Sequence, residues 1–426
     1  MESSEELRYA GDVSIDSVKI VTPAGFYQDI TAQVLNIQFY EDIFAPFITG
    51  SISVKESFDL VNLFPFVGEE YVELDISTPS LEDAKIKGKY YIYKLTDRER
   101  IGEKNVVYQL HFISPEAIVD MNKKISKTFS GEIAKLVPAF YGDKNHGLES
   151  EKKVYMDSIK GKTKYISNFW SPVKNLRHLT TLATNSNDTP NYVFFENRDG
   201  FYFTSLESLY SNPPVFEFTH DNYSRDATAN GGDSRNINED FKRIVEIHIP
   251  TGYDYIDRLR TGMMASRQFS YDLTKKTYTD RSYTMSQRFS KQKHLNEYPI
   301  NSDKLISRNN SVIINFPTNY GNFKGYGDVT NSKINQERIS SMKMAEAMTI
   351  DIVVLGRTDY TAGQKVGVIL YKAEPLTSKD DDNTDKIFSG YYIIAAINHV
   401  IDQGKHECHM QLIKDSSLID MNGKAQ

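Results

Sequence analysis

Lys85-Ile86-Lys87-Gly88-Lys89-Tyr90-Tyr91-Ile92 and Lys386-Ile387-Phe388-Ser389-Gly390-Tyr391-Tyr392-Ile393 stand towards opposite ends of a 426-residue chain and share the pattern Lys-Ile-x-x-x-Tyr-Tyr-Ile. Aromatic and β-branched residues clustered in this way read as strand. The neighbours of the two segments agree in order as well. Gly68-Glu69-Glu70 precedes a strand from Tyr71 as Gly363-Gln364-Lys365 precedes one from Val366. Upstream, residues 48–54 match 349–355; downstream, Val106, Tyr108 and Leu110 alternate as Cys408, Met410 and Leu412 do. Four elements in one order predict an internal duplication. Residues 47–113 and 349–413 should form superimposable antiparallel β-domains, with Gly68 and Gly363 in equivalent turns and Tyr90-Tyr91 over Tyr391-Tyr392. The C-terminal copy has too few strands of its own. The remainder should come from 236–285, which leaves 286–331 as a polar insertion at the periphery.

Between the copies the texture changes. Ser171-Pro172 is a helix start, with Ser as N-cap and Pro at the first helical position. Leu176, Leu179 and Leu182 then recur along 173–184 as an apolar stripe. Residues 131–141 read as a short helix weakened by Pro138. Tyr192-Val193-Phe194-Phe195 and Phe201-Tyr202-Phe203 flank Asn197-Arg198-Asp199-Gly200 as a hairpin. Asn230-Gly231-Gly232-Asp233-Ser234 reads as a linker, and 332–348 as a helix feeding the second copy.

Charge and composition narrow the function classes. Fifty basic and 57 acidic residues leave a net charge of −7, which does not suit a chain that grips nucleic acid through its phosphates. The single cysteine, Cys408, excludes an intrachain disulfide and a cysteine-based zinc cage. The start, Met1-Glu2-Ser3-Ser4-Glu5-Glu6, is acidic where a signal peptide is basic and then apolar, and points to folding in a reducing cytosol. The longest strongly apolar stretch, 391–397, is far below the roughly 20 residues of a membrane helix.

Candidate chemistry is sparse. In His406-Glu407-Cys408-His409, strand alternation turns His406 and Cys408 to one side and His409 to the other, so the segment by itself supplies no converging ligand set. Asp380-Asp381-Asp382-Asn383-Thr384-Asp385 lacks the ligand spacing, central glycine and closing glutamate of a calcium loop, and reads as a solvated connection. Nucleophile elbows, zinc-protease helices and phosphate loops are missing from the sequence. No catalytic, cofactor-binding or metal residue is assigned from sequence, and no enzymatic activity is expected.

Three segments taken in order resemble the central hub proteins of phage contractile-tail baseplates, a family related to the base of type VI secretion spikes. The first runs from Asn168-Phe169-Trp170-Ser171-Pro172 through the leucine stripe to Tyr192-Val193-Phe194-Phe195-Glu196 and Gly200-Phe201-Tyr202-Phe203. The second is Tyr253-Asp254-Tyr255-Ile256-Asp257-Arg258-Leu259 with Gly262 and Tyr271-Asp272-Leu273. The third is the 332–348 helix with Thr349-Ile350-Asp351-Ile352-Val353-Val354-Leu355-Gly356, Ala362-Gly363-Gln364-Lys365 and the closing Tyr-Tyr strands. The resemblance implies a mainly β fold with α+β parts: two similar tube-like antiparallel β-barrel domains, an interposed α/β domain and a peripheral insertion. The corresponding division is 1–115 for the first barrel, 116–235 for the middle domain, 236–285 with 346–417 for the second barrel, 286–345 for insertion and connecting helix, and 418–426 for a tail. It also implies a homotrimer forming a pseudo-sixfold ring in the virion tail baseplate, between a sixfold tail tube and a threefold central spike, with baseplate wedge proteins as further neighbours. Family members carry no catalytic residues. DNA would pass through the ring without specific binding, and three chains of −7 carry −21, a repelling field at low salt. Direct membrane insertion is not implied. The rival readings are a receptor- or glycan-binding tail protein and a cell-wall or capsule glycan hydrolase.

Overall fold

The computed structural model describes residues 7–57, 68–81, 84–102, 104–220, 237–272, 276–301, 311–315, 334–372, 383–402 and 404–421. The expected linker at 230–234 and the acidic run at 380–382 lie outside the described residues. The first part of the chain forms β1 (Ser14–Val21), β2 (Tyr27–Asp29), β3 (Val34–Asp42), β4 (Thr49–Glu56), β5 (Tyr71–Ser77), β6 (Ile86–Ile101) and β7 (Asn105–Ile113). Period-two alternation drives it: Val72, Leu74 and Ile76 are buried, while Tyr71, Glu73 and Asp75 between them are only partly covered.

The middle of the chain is α+β. β8 (Ile125–Glu132), β9 (Val154–Met156), β10 (Lys162–Trp170), β11 (Tyr192–Asn197) and β12 (Gly200–Ser205) form two small sheets. Helices Ile133–Gly142, with Pro138 inside, and Pro172–Leu182 pack on them. The Ser171 hydroxyl accepts from the Lys174 amide, the cap expected from the sequence. Leu176, Leu179 and Leu182 are buried in one core with Phe140, Tyr165 and Phe203.

The remainder supplies β13 (Phe216–His220), β14 (Ile244–Thr251), β15 (Ala265–Asp272), β16 (Thr277–Thr284), β17 (Tyr298–Pro299) and β18 (Ser311–Asn315). Helix Asn335–Ala345 follows, then β19 (Met348–Leu355), β20 (Lys365–Leu370), β21 (Gly390–Asp402), β22 (Lys405–Lys414) and β23 (Ser416–Ser417). One 13-stranded sheet runs β14-β19-β22-β21-β3-β4-β7-β6-β5-β1-β2, with β20 also on β21 and β13 on β20.

The duplication is visible in that order. β3-β4-β7-β6-β5 in the first half repeats as β14-β19-β22-β21-β20 in the second, every neighbour antiparallel. Irregularities repeat too. The β6–β7 ladder shifts between Ile92 and Lys94, and β21–β22 shifts between Ile394 and Ala396. The β3–β4 ladder shifts between Val34 and Asn36, and β14–β19 between Ile244 and Glu246. Shared bulges are stronger evidence of equivalence than shared strands, because each occupies one position in a ladder. The sixth strand differs: β1 lies antiparallel to β5, whereas β13 lies parallel to β20. In each half that sixth strand returns towards the first. The Ile30 amide donates to the Val18 carbonyl ahead of β3, and the Thr219 amide donates to the Lys242 carbonyl ahead of β14.

The register corrects the sequence alignment by one residue. The Ile92 amide donates to Glu70 O and the Ile394 amide to Gln364 O, which makes Ile92 equivalent to Ile394. Tyr90, paired with Val72, therefore corresponds to Tyr392, paired with Val366, and not to Tyr391. Burial agrees, since Tyr90 and Tyr392 face the core while Tyr391 is exposed. Gly68 and Gly363 both have φ of +91°, yet they stand one residue apart in the equivalent turns. A one-residue slip exchanges the two faces of a strand, so the match of two adjacent tyrosines could not fix it.

The insertion also departs from expectation. β14 serves the second half of the sheet, but β15 and β16 leave it and form a separate sheet with β18. Residues 286–300 are not peripheral. Leu295 is buried in the core of the second half, the His294 ring contacts Asp415 at 2.6 Å, and β17 pairs with β23. In the helix Asn335–Ala345, Arg338 donates to the carbonyls of Thr180, Pro190 and Tyr192. Polar composition hid these anchors because each works through contacts with residues far along the chain.

The halves are joined where β21 pairs with β3, Ile401 opposite Ile37 and Ile397 opposite Glu41. Glu41 is buried at the junction of all three parts. Its Oε1 accepts from the Arg198 amide at 2.7 Å, and its Oε2 from the Thr361 hydroxyl at 2.5 Å and the Ala362 amide at 2.8 Å. Desolvation outweighs these bonds and raises its pKa to about 7. The folded state then holds this proton more tightly than the unfolded state between the ordinary glutamate value of 4.5 and about 7. The group's contribution is full below pH 4.5 and is lost as pH rises through 7, about 3 kcal/mol across the window. Denaturant midpoints measured from pH 4.5 to 8 should fall more steeply for wild type than for Glu41→Gln. Equal slopes would show that Glu41 ionises normally.

Gly50 occupies the position of Ile350 in the other half, with Phe112 across the ladder where the other half has Leu412. A Cβ on Gly50 would lie 2.2 Å from the Phe112 ring and 2.4 Å from the Gln38 carbonyl. Gly50→Ala should destabilise the fold by about 1–3 kcal/mol, and Phe112→Leu in the same chain should recover part of it. A denaturation double-mutant cycle checks this.

Candidate assembly surfaces

The β3–β21 joint uses one edge on each half. On β21, the edge after the bulge carries β3; on β3, the edge away from β4 carries β21. The equivalent edges elsewhere have no ladder partner among the described residues. They are β6 beyond its bulge, from Lys94 to Ile101, and the outer side of β14. Both display apolar side chains to solvent: Tyr93 is 51% and Ile101 52% exposed on β6, Val245 47% and Ile249 37% on β14. Open edges with exposed apolar residues template pairing with another chain.

The sheet face opposite the main core forms a cleft of about 520 Å³ that crosses the joint. Tyr40, His248, Asp351, Asn398, His409 and Gln411 line it, with Gln411 Nε2 donating to Asp351 at 3.3 Å. No lysine or arginine is among its lining residues. Such a wall offers hydrogen bonds and carboxylates, and no fork for a phosphate.

His409 thus lies on this open face, turned away from His406 and Cys408 as the alternation of β22 requires. His406 and Cys408 are buried, and across the hairpin His399 of β21 meets them, His399 being the ladder partner of Cys408. His399 Nδ1 and His406 Nε2 are 3.0 Å apart, and Cys408 Sγ is 3.3 and 3.4 Å from them. Burial drives both imidazole pKa values down, that of His406 to about 3, and pushes the Cys408 thiol up. The segment 406–409 by itself does not reveal the third member, which stands on the neighbouring strand. The hairpin turn at Gly404, counted backwards, places 399 opposite 408 and carries the missing signal. No helix among the described residues is long and apolar enough to cross a membrane.

No protein-family profile matches the chain, and no curated protein matches it in sequence. Solved structures do match. The 43 kDa tail protein of prophage MuSo2 from Shewanella oneidensis aligns with a TM-score of 0.56 and 10% identity, over 94% of this chain and 98% of that one. A tail protein from Neisseria meningitidis MC58 aligns with a TM-score of 0.56 and 11% identity, over 95% and 97%. The E. coli c3393 protein, a type VI secretion system component, aligns at 0.45 with 8% identity, over 97% of this chain and 79% of that one. The agreement with the first two spans nearly the whole of each chain: this protein has the fold of phage tail proteins.

Proposed function

We propose that the chain is a structural, non-enzymatic subunit of a tail baseplate hub, in which copies join head to tail through the edges of β6 and β14. The carrying observation is the intrachain β3–β21 ladder. It joins one half of a duplicated sheet to the other, and among the described residues it leaves on each chain one unfilled edge of each kind. A heterologous contact that repeats the intrachain joint generates a ring if the rotation closes. Two similar halves per chain and three chains give six near-equivalent positions, so the ring would meet a sixfold tail tube on one side and a threefold central spike on the other. In this reading each half is a tube-like barrel wall, residues 116–235 form the interposed domain, and tail tube, spike and baseplate wedge proteins are the neighbours. The cleft face would line the channel, where a lining without lysine or arginine lets DNA pass unbound. The likeness in fold to tail proteins and the net charge of −7 support this reading.

Transferring the β3–β21 register to the open edges sets Glu99 opposite His248 of the next copy, as Val400 stands opposite Gln38 within the chain. Cβ atoms of directly opposed residues lie about 4.5–5.5 Å apart, close enough for a cross-link after slight adjustment. The double variant Glu99→Cys with His248→Cys should give covalent oligomers ending at a closed trimer on oxidation, while each single variant should not. Oxidation that yields only monomer, at high concentration and with the spike protein present, would rule the ring out.

A further inference from the structure

We propose that His399, His406 and Cys408 bind one zinc ion, which staples β21 to β22 beside the joint with β3. The three donor atoms lie within 4.8 Å of one another in a fully buried group. Tetrahedral zinc, with bonds of about 2.0–2.1 Å to nitrogen and 2.3 Å to sulfur, holds its ligand atoms roughly 3.4–3.6 Å apart. The separations of 3.0, 3.3 and 3.4 Å need only a few tenths of an ångström of opening. A buried N₂S set suits zinc over calcium or magnesium, which take oxygen ligands. The fourth position is left to a backbone oxygen or an enclosed water.

The surroundings prepare the group for a metal. A backbone hydrogen bond to Tyr360 holds the His399 ring and a backbone hydrogen bond from Arg357 reaches Cys408. Outer bonds of this kind fix the orientation of metal ligands. His406 lies against Gly356, where a Cβ would come within 2.2 Å of the ring, so no larger residue leaves room for the imidazole. The duplicated half fills the positions of Cys408 and His406 differently. Cys408 pairs with Val354 as Tyr108 pairs with Val54, which puts Tyr108 in the place of Cys408 and Val106 in that of His406. One half of the sheet packs an aromatic and an aliphatic there; the other half gathers three ligands. Binding converts the Cys408 thiol to a zinc thiolate and releases one proton per ion, both imidazoles entering neutral.

The test uses the full-length protein. Elemental analysis after purification without chelator should find close to one zinc per chain. Cys408→Ser and His399→Asn should each lower that at least tenfold, and His409→Ala, on the opposite face, should leave it unchanged. Should the first two variants fail to fold, Co²⁺ added to wild-type protein stripped of metal should still produce a thiolate-to-cobalt charge-transfer band. Zinc restored to the same sample should raise its Tm. Metal-free protein as purified, with no cobalt band and no rise in Tm on adding zinc, overturns the proposal. So does zinc content that persists in Cys408→Ser.

Discussion

The pairing of β3 with β21 is the constraint on which the rest of the architecture depends. Seven residue pairs, from Asp42 with Ala396 to Asn36 with Asp402, make one sheet out of two. β21 can serve because it is long: its first residues hold β20, and a bulge after Ile394 turns the remainder to meet β3. The joint is then locked from three sides. Glu41 gathers the Arg198 hairpin and the Thr361–Ala362 turn, and Thr78 and Thr358 exchange amide-to-hydroxyl hydrogen bonds at 3.1 and 2.9 Å. A lone backbone ladder could slide; buried polar contacts with fixed donors and acceptors set its position.

The same joint explains how the middle region is placed. Asn197 Nδ2 donates to the Ala362 carbonyl at 3.0 Å, and Glu196 Oε2 accepts from the Ile48 amide at 3.1 Å. The β11–β12 hairpin is thereby bound to both halves at its tip. Glu196 also meets Lys152, which reaches Glu116, so two buried carboxylates share one half-buried ammonium. A buried set of this kind stabilises little by itself, but breaking it leaves an unpaired charge. Its effect is to fix where the hairpin sits.

Much of this was legible in the sequence. Strands announced themselves by alternation, the Pro172 helix by its cap and leucine stripe, and the duplication by the order of its elements. What alternation cannot supply is register. Two adjacent tyrosines fit either face, and the bulges that decide between them, at Tyr93 and Ala395, have no composition of their own. Single anchors in polar stretches were equally silent: His294, Leu295 and Arg338 hold their segments to the body of the fold through contacts with residues far along the chain, which composition does not announce. The cluster of His399, His406 and Cys408 is a different case. His399 is seven residues from His406 and belongs to another strand, so the cluster exists only once the hairpin at Gly404 is folded on paper.

The two halves show what such a sheet holds constant and what it leaves free. Ile52 and Ile352, Val54 and Val354, Ile92 and Ile394 occupy equivalent inward positions, while Gly50 with Phe112 replaces Ile350 with Leu412, the aromatic ring filling part of the space that the glycine leaves. Cores accept such exchanges when volume and patterning are kept. The outward positions follow no such rule, and the sixth strand even reverses its direction. A fold specified by inward volume, bulge position and one joint can therefore keep its course while nearly every residue changes. That is the condition seen between this chain and the Shewanella and Neisseria tail proteins, at 10% and 11% identity over almost their full lengths. Sequence comparison does not register such a likeness in fold, because it scores residues, whereas the sheet is determined by parity and by the few places where parity breaks.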